Sequence, residues 1–385
     1  MRINKKKFAT RMFILISIIG ILVYARHLSV NDESREALFN YWEGVISGLK
    51  NTDSYLVAEK LYNVEYDKNV KNTIIGRNNG AIVLNTNSIS EYNMDSNVSW
   101  KYEISLVNPM IETNENWMVV AEENGVKLTT FNLTHEVYST QIEGLIQKIY
   151  INKNGYVGVI YEKTGYKNAF AFINPNGEIL YTKYFAKTTL VDADIRDDGK
   201  VISMIEADTD GVVINFAITF LDDKGNTVYS SIKKNTLLVE TTFIDDKAVL
   251  IGDSNIIVID EEYNETVLEE FEGQDILGLC VKDGKRIKFY RDSNELFADK
   301  TKLEIKNVDG KVIGSGEVEG NVQSLKVSNN VLAIVLTDRI DFFTAKGNYN
   351  TSVFISGEFT NIALFKNGTY ACVQTTEGIT VYKVK

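Results

Sequence analysis

The stretch LIQKIYINKNGYVGVIYEKTGYKNAFAFINPNGEILYTKY, residues 145–184, decides the fold. Leu145–Ile151 reads as an inner strand, Asn152–Gly155 as a tight turn and Tyr156–Tyr161 as a second, more apolar strand. Glu162–Lys167 form a loop and Asn168–Ile173 a third strand. Asn174-Pro175-Asn176-Gly177 has the chemistry of a type I or II turn, and Glu178–Tyr184 closes the unit as an outer strand. Gly and Asn tolerate the left-handed backbone such turns need, and proline presets φ within them. Val, Ile, Tyr and Phe favour the strands between.

The unit recurs. Its outer turn returns at Asp222-Asp223-Lys224-Gly225, Val308-Asp309-Gly310 and Ala345-Lys346-Gly347. Its inner turn returns at Asp197-Asp198-Gly199, Asp283-Gly284, Asn329-Asn330 and Asn367-Gly368. An apolar-Glu-Gly step marks the handover to a following unit at Ile142-Glu143-Gly144, Phe271-Glu272-Gly273 and Val318-Glu319-Gly320. A period of about forty residues, running from Asn72 to the C-terminus, is the mark of a radially or linearly repeated architecture. Four strands per period is one blade of a β-propeller.

The units run 72–106, 109–144, 145–187, 188–234, 235–273, 274–320 and 321–358, with a last one from 359. That last unit holds three strands only. Leu61–Tyr66 (LYNVEY) alternates in strand fashion and can supply the fourth, removing the open edges that a ring of sheets would otherwise leave. The prediction is an all-β propeller over 61–385 with eight four-stranded blades, closed by an N-terminal strand. Seven blades stays open, because the sixth unit (Asp275–Glu319) is long and its third strand ambiguous.

Upstream, Met12–Leu28 (MFILISIIGILVYARHL) is uncharged from Met12 to Ala25, short for a span of about 20 residues. Arg2, Lys5, Lys6, Lys7 and Arg11 precede it, and Asp32, Glu33 and Glu36 follow. The positive-inside bias puts residues 1–11 in the cytoplasm as a basic tail, 12–28 across the plasma membrane as a single-pass helix, and the propeller outside. A cleaved signal peptide competes, since Val23-Tyr24-Ala25 offers small residues at cleavage positions; Tyr24, Arg26 and His27 make the site poor. The linker 29–60 contains Ser34–Gly48, whose Ala37, Leu38, Tyr41, Trp42, Val45 and Ile46 form one stripe of an amphipathic helix. Glu36 and Glu43 against Arg35 favour packing on protein over a basic membrane-surface helix.

The chain has 385 residues and a net charge of −11. Residues 1–26 hold six basic groups and no acid, leaving 35 basic against 52 acidic side chains in the rest, a balance of −17. A nucleic-acid partner is disfavoured, because phosphate binding needs a basic face. Cys280 and Cys372 both lie in apolar strand patterns and read as buried thiols before a disulfide between blades.

Glu206-Ala207-Asp208-Thr209-Asp210-Gly211 resembles the first half of a calcium loop, which makes Glu206, Asp208 and Asp210 weak metal candidates. The twelfth position is Ala217 where a bidentate Glu is required, and a strand is expected to resume at Val212, so a plain hairpin turn is the simpler reading. Val191-Asp192-Ala193-Asp194 puts two carboxylates on one side of a strand, toward the channel or solvent. The turns between second and third strands should line one face. Glu122, Glu123, Asp208, Asp210, Asp253, Asp338 and Glu377 make that face acidic and are the ligand-face candidates. His27 and His135 fit no Ser-His-Asp or Cys-His arrangement, and HExxH, CxxC, GxSxG and P-loop motifs do not occur. No catalytic residue and no cofactor is assigned.

With anchor, linker and blade array in order, and turns such as Asn174–Gly177 and Leu221-Asp222-Asp223-Lys224-Gly225, the chain resembles the membrane-anchored propeller family known as domain of unknown function 5711 of Gram-positive bacteria. The resemblance implies an exported, tethered propeller and carries no site residues. The blades also look broadly like quinoprotein-type repeats but lack their Ala-x-Asp-x-x-x-Gly-x-x-x-Trp signature; Trp42, Trp100 and Trp117 do not recur with the period. The expected function is a non-enzymatic binding or scaffolding module at the cell envelope, with an envelope protein or cell-wall polymer as partner. Alternatives are an extracellular glycan-acting enzyme using carboxylates at the propeller face, or a structural subunit of a membrane complex.

Overall fold

Turn chemistry and strand chemistry fall where the repeat places them. Asn174–Gly177 joins the strands Asn168–Ile173 and Ile179–Phe185, with Gly177 at φ 90° and its would-be Cβ 2.7 Å from the Tyr138 ring of the preceding blade. Only glycine fits there. The computed structural model describes residues 56–385 apart from 78–79, 133, 235, 283, 293–299 and 329–330. The basic tail 1–11, the membrane helix 12–28 and the amphipathic segment Ser34–Gly48 lie outside the described residues.

Eight four-stranded antiparallel sheets follow one another in chain order. They are blades 1 to 8, at 73–103, 109–141, 145–185, 189–233, 238–270, 274–319, 322–354 and 359–383. In the first seven sheets the strand order follows the chain, with the first strand innermost and the fourth outermost. In six blades the inner strand carries one extra residue near its start: Gln147, Val191, Val239, Leu277, Gln323 or Thr360. Such a bulge bends and twists the strand and turns that residue out of the ladder.

Blade 8 is completed from the N-terminus. Glu59–Val64 pairs antiparallel with Ile379–Lys383, Glu59 opposite Lys383 and Val64 opposite Ile379. The closing strand starts two residues before the expected Leu61–Tyr66, because pairing with Lys383 and Tyr382 recruits Glu59 and Lys60. Just upstream, Val57 bridges in parallel to Ser352 on the outer strand of blade 7, and the Ala58 N–H donates to the Ser352 carbonyl at 2.8 Å. The entering chain thus crosses from blade 7 to blade 8. The ring has eight blades, and the ambiguous third strand of blade 6 is Lys300–Asn307.

The core is a set of wedges. Eight apolar clusters lie one at each seam between neighbouring blades, from Ile82, Leu84 and Ile89 against Met118, Val120 and Phe131 at seam 1/2 to Ile74, Ala81 and Val83 against Ala363, Cys372 and Val381 at seam 8/1. The last of these shows that the ring is closed. Neither cysteine is in a disulfide; Cys372 is buried, which pushes its thiol up to about 12, and Cys280 is half-buried.

Seam 5/6 differs. Glu269 on the outer strand of blade 5 receives Arg286 at 3.2 Å, Lys306 at 2.9 Å and Lys288. Glu304 pairs with Lys288 at 3.2 Å and Lys306 at 2.7 Å. The Arg286 side chain is only 2% exposed. Burial lowers the Arg286 pKa and would raise that of Glu269, but Lys288 and Lys306 outweigh burial and hold the carboxyl below its ordinary range.

Candidate functional site

Sequential antiparallel strands send their connections to alternate ends. The turns between second and third strands therefore share one face with the connections between blades, and the inner and outer turns share the other. Backbone bonds confirm the first pairing: Glu123 N–H donates to Asn108 O at 2.8 Å, Asp253 N–H to Leu237 O at 3.0 Å and Thr376 N–H to Glu358 O at 2.9 Å.

All seven ligand-face candidates stand on that face, spread over blades 2, 4, 5, 7 and 8. They do not converge. Glu122 accepts the Val107 N–H at 2.8 Å, and Glu377 accepts the Ser356 hydroxyl at 2.8 Å. Each thereby ties its turn to the connection entering its own blade. Asp338 pairs with Arg339 at 3.4 Å, while Glu123 and Asp253 are exposed. The three metal candidates are drawn to different partners: Glu206 accepts from Thr188 at 2.7 Å, Asp208 from the Asp210 N–H at 3.2 Å, and Asp210 pairs with Lys167 of blade 3 at 2.8 Å. Among the described residues no group of three His, Cys, Asp or Glu side chains could hold a metal ion.

Where a strand was expected to resume at Val212, the ladder ends earlier. Asp208 opposite Asn215 is the last rung, and the third strand is Asn215–Asp222. Val212, Val213 and Ile214 sit beyond it, 106%, 54% and 52% exposed. Three aliphatic side chains thus project as a finger from the acidic loop face. Val107, Val126, Leu145, Leu237, Val239 and Leu277 are exposed apolar residues on the same face. The strand expected from Val212 begins instead at Asn215, and only the pairing register reveals Val212–Ile214 as loop.

The handover glutamate Glu143 also gains a role. Tyr161 donates to it at 2.9 Å and Lys163 at 2.9 Å, with Tyr184 a third donor. Tyr184 foremost, then Lys163 and Tyr161, hold this carboxyl down at about 2.

Asp192 and Asp194 face the neighbouring inner strand Leu238–Ile244. The Thr241 N–H donates to Asp192 at 3.0 Å and the Phe243 N–H to Asp194 at 2.6 Å. The two carboxylates satisfy backbone donors on the inner edge of blade 5, which has no further strand to pair with. Tyr150 donates to Asp192 at 2.9 Å, and Lys148 lies 3.6 Å from it. Burial pushes Asp194 up to about 7 against the pull of its two N–H donors. Burial likewise raises Glu240 and Glu112. At the inner-turn end, an open cavity of about 520 Å³ is lined by Glu112, Lys282, Lys326, Asn361, Lys153 and Lys366 among others.

Residues 49–382 match the family of unknown function DUF5711. The chain belongs to this family. DUF5711 is here an eight-bladed propeller. No curated protein matches the sequence significantly. Among solved structures, BamB from Moraxella catarrhalis is similar at 15% identity and TM-score 0.54, covering 86% of this chain and 98% of its own. The C-terminal WD40 domain of Sif2 is similar at 13% identity and TM-score 0.57, covering 86% of this chain and 99% of its own. Both likenesses concern the fold.

Proposed function

We propose that this DUF5711 protein is a non-enzymatic binding module at the cell envelope, held in the plasma membrane by residues 12–28 with its propeller outside, and that its acidic loop face docks an envelope protein. The observation that carries this reading is the finger Val212-Val213-Ile214, exposed on a rigid ring. Contiguous apolar side chains in water, rimmed by polar groups, mark interaction sites. Burying each against a partner is worth roughly 1.5–3 kcal/mol before the entropy of association is subtracted. Asp208 and Asp210 at the base of the finger favour a partner whose apolar groove is edged by Lys or Arg, and disfavour an anionic lipid surface. Glu122 and Glu377 act as caps of blade connections, which leaves them poorly placed for glycan hydrolysis.

A photo-crosslinking amino acid at Val213 in the full chain, in its native membrane, should capture one defined envelope protein; the same probe at Lys311, on the opposite face, should not. Substituting Val212, Val213 and Ile214 by serine should abolish capture without lowering the melting temperature. Equal capture from both positions, or crosslinks to lipid alone, would reject the reading.

A further inference from the structure

The cavity at the inner-turn end of the channel opens on the face opposite the finger. Its wall gathers four lysines, Lys153, Lys282, Lys326 and Lys366, against Glu112 and Glu115, in a protein whose net charge is −11. Lys153 is held by Asp197 at 2.7 Å, and Lys366 lies 4.0 Å from Glu115. Lys282 and Lys326, from the inner strands of blades 6 and 7, are exposed, and among the described residues no carboxylate lies within 4.0 Å of either. Both act on Glu112 from longer range, and Asp192 acts on it with the opposite sign. Glu112, on the inner strand of blade 2, lines the same wall, and burial raises its pKa against the pull of the two ammonium groups. Asn361, whose Oδ1 accepts the Ile362 N–H at 2.8 Å, keeps its amide nitrogen as a neutral donor.

We propose that this cavity binds an oxyanionic group, a carboxylate or a phosphate, seated between Lys282 and Lys326. Two ammonium groups sharing a walled cavity repel each other and concentrate positive potential there. A ligand oxyanion supplies the missing negative charge and accepts charge-assisted hydrogen bonds from both. The site belongs to a ligand small enough for the channel mouth, distinct from a protein docked on the other face.

The full chain in detergent micelles is titrated by calorimetry with inorganic phosphate and, separately, citrate, each against sodium chloride of equal ionic strength. Saturable binding of phosphate points to a phosphate group as the natural feature, and of citrate to a carboxylate; either supports the site. Lys282→Gln with Lys326→Gln should weaken that binding by about tenfold or more. Glu112→Gln, which removes the competing carboxylate, should strengthen it by about threefold. Heat no greater than the chloride control, a double variant that binds as wild type, or a Glu112→Gln variant that binds no better would each overturn the proposal. Because these residues and the finger occupy opposite faces, failure here leaves the docking reading untouched, and the reverse.

Discussion

At Glu143 three donors converge on one carboxylate, and its titration reports their combined strength. Its ordinary value of 4.5 falls to about 2 in the folded chain. A depressed carboxyl stabilises the fold fully above its unfolded value and loses that contribution as pH falls through the folded one. Glu143→Gln should therefore melt below wild type at neutral pH, with the gap closing as pH drops from 4.5 toward 2. A gap of constant size across that window would mean that shape, and not charge, is what the site contributes. The sequence made Glu143 visible as a repeat position; it could not show Tyr184, 41 residues on, as its partner. In the same way Asp192 and Asp194 were legible as a same-side pair, while their acceptance of N–H groups 49 residues away was not.

The closing strand is the element on which the ring depends. Its alternation is readable in LYNVEY, and its need is readable in the three-stranded last unit. Its limits are set by the partner, since Glu59 and Lys60 join only because Lys383 and Tyr382 extend beside them. Asn63 lies opposite Thr380, whose hydroxyl donates to the Asn63 Oδ1 at 2.9 Å. Directly opposed residues of an antiparallel pair lie within disulfide reach. The Asn63→Cys, Thr380→Cys variant should crosslink on oxidation and gain about 2–4 kcal/mol, since the bond closes nearly the whole propeller into one loop. Reductant should return the melting temperature to that of the wild type. Failure to crosslink would place the closing strand in another register.

Across the whole molecule, stability is shared among eight seams, each contacting only its neighbours, as in other repeat assemblies. Seven rely mainly on apolar packing, and seam 5/6 adds buried ions. Breaking a buried ion group by removing one member leaves uncompensated charge and costs about 3–5 kcal/mol. Glu269→Gln strands Arg286, Lys288 and Lys306 against a single remaining carboxylate, Glu304, so a loss near the lower end of that range is expected in denaturant melts. A loss below about 0.5 kcal/mol, typical of a surface site, would show that the group is effectively solvated. Nothing in the strand pattern of 285–292 (KRIKFYRD) beyond its unusual charge hinted at this seam.

Strand order and ring closure were determined by the sequence itself, because they follow from short-range physics: turns demand Gly, Asn and Asp at fixed offsets, strands demand alternation, and an unfilled edge demands a partner. Eight blades rather than seven was decided by the third strand of blade 6, Lys300–Asn307. Which side chains meet across blades was decided only by the tertiary structure. The rotation from one blade to the next brings Lys282 and Lys326 to the cavity of Glu112, sets Glu269 among three cations, and ends the blade 4 ladder at Asn215 so that Val212–Ile214 stand in water. Those contacts depend on twist and pitch summed over whole repeats, which no local pattern of residues encodes.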